Sequence, residues 1–136
     1  METSTEYVRQ ASWPFQLWYW GPALSYAAAI FYFSSQPNPE EQLPDFLMKQ
    51  FGDKLLHLIE YAILAVLCYR AFRWAAGSAA ARRSVTLAIV AASAYAVTDE
   101  VHQMFVPLRE ASWLDWVADT IGATIGSFGW SRFFGR

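Results

Sequence analysis

Four stretches of the chain are apolar and nearly free of charge, and the breaks between them are rich in Pro, Gly, Ser or charge. No residue between Arg9 and Glu40 is charged. Within that run Phe15 to Phe33 matches the ~20 residues a helix needs to cross a hydrocarbon core. Its Gly21-Pro22 pair is tolerable in a membrane helix, where neighbouring helices re-satisfy the freed backbone groups. The segment SSQPNPEEQLPDF then reads as a loop. A second helix is predicted from near Asp53 to about Trp74, with an uncharged heart from Tyr61 to Tyr69. AAGSAAARR joins it to a third, from about Arg83 to Phe105, which Pro107 ends. A fourth runs from about Ser112 to Phe128.

This pattern predicts an all-α integral membrane bundle of four transmembrane helices at residues 15–130, with tails at 1–14 and 131–136. A small soluble helical bundle is the competing reading, since only the first segment is clean enough to span unaided. Long uncharged runs weigh against it. The first nine residues carry Glu2, Glu6 and Arg9 and do not resemble a cleavable signal peptide, so the first apolar segment is expected to direct insertion. Seven basic residues, Arg9, Arg70, Arg73, Arg82, Arg83, Arg132 and Arg136, fall on the two tails and the middle connection. The other two connections hold Lys49, Lys54 and Arg109. The positive-inside rule therefore predicts a multi-pass protein of the cell membrane, N-in and C-in.

That orientation puts the unusual polar residues in the extracytoplasmic half. Asp53, His57, Glu60 and Leu64 lie on one stripe of the second helix. Tyr95, Asp99 and His102 repeat the spacing on the third, and Asp115, Asp119, Gly122 and Gly126 on the fourth. Gly122-x-x-x-Gly126 also permits close helix approach. A charge at the centre of a spanning helix costs about 2.5–3.5 kcal/mol, so the stripes are expected to face one another.

Composition narrows the picture further. Hydrophobic residues make up 55% of the chain and charged ones 16%, with seven Trp, seven Tyr and ten Phe, as suits contact with lipid headgroups. A net charge of −2 with no basic stripe argues against nucleic-acid binding. The single Cys68 excludes an internal disulfide and reads as apolar filler.

The segments FSSQP (33–37), DKLLHLIEYAIL (53–64), DEVHQMFVPLREAS (99–112) and DWVADTIGATIG (115–126) resemble the VanZ-like family. These are small polytopic membrane proteins named for a member associated with teicoplanin resistance. The resemblance implies an integral membrane protein acting in the cell envelope, with no established reaction. Two positions depart from the family pattern. Leu108 stands where Pro-Gly-Arg is usual, which is expected to loosen that turn, and Asp119 stands where Asn is usual.

The residues leave several chemistries open. In one, His57 or His102, oriented by Glu60, Asp99 or Glu100, is a general base acting on a lipid or wall precursor. In a variant, the pairs His57-x-x-Glu60 and Asp99-x-x-His102 hold a divalent metal; no other cofactor is evident. In a second class, a pocket binds a lipid-linked or glycopeptide ligand through Lys54, Gln103, Arg109, Asp115, Asp119, Ser35 and Gln36. A third reading makes the cluster interhelical glue, inefficient at about 0.6 kcal/mol per membrane hydrogen bond. Binding, with the lipid bilayer as surroundings, is the favoured expectation.

Overall fold

A computed structural model of the chain describes residues 12–37 and 45–135, without the side chains of 45–51 and 53. The expectations for the first residues of the N-terminal tail and for the Asp53 side chain lie outside the described residues. Among the described residues five helices follow in order: α1 (Trp13–Ser34), α2 (Asp45–Ala75), α3 (Gly77–Arg82), α4 (Ser84–Gln103) and α5 (Trp113–Phe134). No strand occurs among the described residues.

Local chemistry accounts for most helix ends. Pro14 sits in the first turn of α1, where its fixed φ suits the helix and its missing N–H costs nothing. α1 passes through Pro22 without ending. α2 is broken at Gly52, whose φ of 66° is open to glycine at no steric cost; the helical run from there matches the predicted second helix. Its first turns begin at Asp45, inside the last two residues of the predicted loop. The AAGSAAARR connection is largely helical, as α3, and Gly77 opens it at φ 83°. α5 continues to Phe134, six residues past the expected end.

Three hydrogen bonds set the helix directions. Gln16 Nε2 donates to the Ala75 carbonyl (2.9 Å), which joins the start of α1 to the end of α2. Tyr95 Oη donates to the Ala27 carbonyl (2.6 Å), and Gln103 Nε2 donates to Ser34 Oγ (2.9 Å). α1 thus runs against α2 and alongside α4. α5 returns beside α2, and that pair makes the most extensive helix contact in the bundle.

Small residues allow it. A Cβ at Gly122 or Gly126 would overlap the backbone carbonyl of Leu58 or Ala62. Backbones this close gain dispersion and interhelical contacts that larger side chains would block. The interior is correspondingly small: Ala65, Ala71, Ala88, Ala92, Ala96 and Ala123 are fully buried, around Tyr61 and Leu64. Large apolar residues such as Trp18, Leu24, Val90, Ile125 and Phe128 lie more than half exposed. An outer surface of that kind is compatible with a lipid bilayer, and Lys54–Ala75 and Ser84–Gln103 are long and apolar enough to cross one. α1, expected to be a span because it carries no charge, is not among those two; its tryptophans and tyrosines are less apolar than aliphatic residues. Cys68 packs against the core as an apolar side chain.

Candidate functional site

The ends of α1 and α4 and the beginnings of α2 and α5 meet at one end of the bundle, so the polar residues of four helices converge there. α2 contributes Lys54, His57 and Glu60. His57 Nδ1 donates to Asp119 Oδ1 of α5 at 3.1 Å, with Asp119 only 1% exposed. One turn nearer the surface, Lys54 pairs with the buried Asp115. The i, i+3 spacing of Lys54 and His57 thus meets the i, i+4 spacing of Asp115 and Asp119 across the α2–α5 seam.

α4 supplies a second set. Its buried face is Ser84, Ala88, Ala92, Ala96, Asp99 and Gln103. Gln103 Nε2 donates to Asp99 Oδ2 (3.0 Å) as well as to Ser34 Oγ, tying α4 to α1. Asp99 Oδ1 is buried with no hydrogen-bond partner among the described residues, as are Glu100 Oε1 and the Tyr61 hydroxyl. Glu100 Oε2 accepts the backbone N–H of Ser112 at 2.8 Å, at the start of α5. A carboxylate there meets one of the helix's unsatisfied N–H groups and the positive end of its dipole.

The turn between α4 and α5 brings in Arg109. Leu108 holds φ 64°, and Arg109 N–H donates to the Val106 carbonyl (3.2 Å). The turn is therefore tight despite the missing glycine, contrary to the loosening expected from Leu108. Its cost is a left-handed backbone at a residue with a Cβ.

Beside these groups lies a cavity of about 320 Å³ between α1, α2 and α4. Tyr26, Ile30, Phe33, Leu56 and Ile59 form its apolar wall. Ser34, His57, Glu60, Asp99, Gln103 and Arg109 form its polar part. Phe33 and Ile59, at 46% exposed each, put the apolar wall at the bundle surface.

The expected site residues therefore divide. His57, Glu60, Asp99, Gln103 and Arg109 meet at the cavity; Asp115 and Asp119 lie behind it on α5, with Lys54 at the edge. His102 does not join them: its Nε2 donates to Ser35 Oγ (2.9 Å), and its ring stacks on Phe31 at 4.4 Å. Ser35 Oγ in turn donates to the Phe31 carbonyl (2.7 Å), and Gln36 Nε2 donates to the Tyr32 carbonyl (3.2 Å). Ser35, Gln36 and His102 thus finish the end of α1 and line no part of the cavity. The anticipated metal set of His57, Glu60, Asp99 and His102 is not the one whose donors converge. His57, Glu100 and Asp119 each offer a ligand atom within 4.8 Å of the others.

Tyr26 and Tyr61 were not singled out by the sequence, and Ser34 entered only as part of FSSQP at the end of the first helix. Ser34 carries a usable signal, since Ile30 and Ser34 share an i, i+4 stripe. Tyr26 and Tyr61 resemble any other aromatic in an apolar run.

Comparison with known proteins gives one match. A family described as VanZ/LLP1 matches residues 3–134, nearly the whole chain. No curated protein and no solved structure matches.

Proposed function

We propose a function from one premise: the chain belongs to the VanZ/LLP1 family. Membership and the two apolar helices together point to a membrane protein, and the family to a role in the cell envelope. In our reading α1, the part of α2 from Lys54, α4 and α5 all cross the bilayer. α1, α4 and α5 have 22, 20 and 22 residues, and at ~1.5 Å per residue each helix is about as long as a hydrocarbon core is thick. Both termini and the arginine-bearing α3 region lie in the cytoplasm, and the polar end faces outward.

The protein acts there by binding an amphipathic envelope molecule: a lipid-linked wall precursor, or a glycopeptide such as teicoplanin. The lining of the cavity carries this reading. Five apolar side chains line it, of which Phe33 and Ile59 reach the bundle surface, and Arg109, Glu60, Asp99 and Gln103 supply its polar part. An acyl or prenyl chain suits the apolar wall. Arg109 offers a planar, doubly donating group for a phosphate or carboxylate, while Glu60 and Asp99 accept from hydroxyls or amides. Binding sites commonly combine an apolar lining with a few convergent polar groups in this way.

The test is direct. Protein in lipid nanodiscs is titrated with lipid-linked wall precursor and, separately, with teicoplanin. Saturable binding that weakens at least tenfold in Arg109→Gln supports the reading. Equal binding by wild type and Arg109→Gln, or none by either, rejects it. Turnover of the precursor would make the site an enzyme's and replace binding as its role.

A further inference from the structure

From the seam behind the cavity we infer a divalent transition-metal site formed by His57, Glu100 and Asp119. One donor comes from each of α2, α4 and α5. Their ligand atoms lie within 4.8 Å of one another, and His57 Nδ1 and Asp119 Oδ1 are already 3.1 Å apart. Metal–ligand bonds of ~2.0–2.2 Å place neighbouring donors of a tetrahedral ion roughly 3.3 Å apart. The His57–Asp119 pair has that spacing, and the Glu100 donor, within 4.8 Å of both, closes the remainder by a side-chain shift.

A second observation marks the spot as a ligand site. Glu100 is partly covered as a residue, yet its Oε1 is out of solvent and has no hydrogen-bond partner among the described residues. Its other oxygen is held by the Ser112 N–H, which orients the carboxylate as an outer-shell donor commonly orients a metal ligand. A buried, unpartnered carboxylate oxygen is costly, and a cation removes that cost.

Charge favours a doubly positive ion. Glu60, Asp99, Glu100, Asp115 and Asp119 gather at this end of the bundle, and Lys54 and Arg109 are the basic side chains beside them. Lys54 is committed to Asp115, and Arg109 stands at the cavity with Glu60 and Asp99. Five carboxylates against two cations leave an excess of three negative charges, and Glu100 and Asp119, with a neutral imidazole, supply two of them to an ion of charge 2+. One imidazole with two carboxylates suits Zn²⁺ or Mn²⁺; Mg²⁺ prefers oxygen donors and retains its waters. Binding through Nδ1 requires that nitrogen to give up its proton: a neutral His57 moves it to Nε2, and a protonated His57 releases one to solvent. The site goes beyond the ligand-binding reading, and its test uses no organic ligand, so either can fail alone.

The full-length protein in detergent is stripped with chelator and desalted. It is then exposed to Zn²⁺, Mn²⁺ or Mg²⁺, desalted again and analysed for metal per chain. The expected result is close to one Zn²⁺ or Mn²⁺ retained, no Mg²⁺, and a higher melting temperature with the bound ion. Glu100→Gln and Asp119→Asn weaken the affinity by about tenfold or more, while His102→Ala retains the metal. Equal retention by wild type and Glu100→Gln overturns the proposal. Should both carboxylate variants misfold, the wild type decides: no retained Zn²⁺ or Mn²⁺, or no rise in its melting temperature, also overturns it.

Discussion

His57 and Asp119 form a buried pair across the α2–α5 seam, 3.1 Å apart, in the layer where Gly122 and Gly126 bring the two backbones together. Position and packing support each other here, because a wider seam would separate donor from acceptor. Removing one partner of a buried, hydrogen-bonded pair costs about 3–5 kcal/mol, since the other is left uncompensated. His57→Leu is therefore expected to lower the unfolding free energy in detergent by that order. A double variant His57→Leu/Asp119→Leu should recover part of the loss. A double variant worse than the sum of the singles would contradict the pairing.

The glycines of α5 give a sharper contrast. An added methyl at Gly122 or Gly126 meets the Leu58 or Ala62 carbonyl, whereas at Gly129 it meets nothing within 4 Å. Gly129→Ala should be neutral or stabilising by up to ~1 kcal/mol, the gain in helix propensity. Gly122→Ala and Gly126→Ala should lose melting temperature through displacement of α2. Equal effects at all three positions would show that the seam is wider than described.

Leu108 is 80% exposed at φ 64°, so its side chain contributes little packing while its backbone is strained. Leu108→Gly is expected to stabilise the protein by about 1 kcal/mol, and Leu108→Val to destabilise it. Thermal unfolding of the two variants beside wild type checks both signs.

His102 and Gln103 should separate by function. His102→Ala removes a stacked ring and one hydrogen bond at the end of α1, costing about 1–2 kcal/mol with ligand affinity unchanged. Gln103→Leu removes a donor shared by Ser34 and Asp99 inside the cavity, and ligand affinity should fall with stability. Parallel melting and binding measurements distinguish them.

That division shows where sequence reasoning reached and where it stopped. The 3.6-residue spacing of Asp53, His57 and Glu60 and of Asp115 and Asp119 identified the faces of α2 and α5, and Gly122-x-x-x-Gly126 identified the closest seam. On α4 the spacing was ambiguous, because Asp99 has neighbours on the same face at both i+3 and i+4. Extending the stripe to His102 favoured the more reactive side chain. The alanines at 88, 92 and 96 carried the stronger signal, since a line of small residues marks the face that other helices approach, and it continues to Asp99 and Gln103. Glu100 was legible as a carboxylate but not as the partner of Ser112 N–H, a contact that depends on the tight turn at Leu108. Cavities form between helices, and no single helix's pattern contains one.

The central claim is an outward-facing cavity that holds an amphipathic envelope ligand. Its most direct test is thiol labelling of Leu56→Cys, at the cavity wall, in a Cys68→Ala background, using a membrane-impermeant maleimide on intact cells. The account predicts labelling from outside that lipid-linked wall precursor suppresses, with no suppression at an exposed control such as Leu114→Cys. Labelling only after the membrane is opened, or labelling indifferent to the precursor, would contradict it.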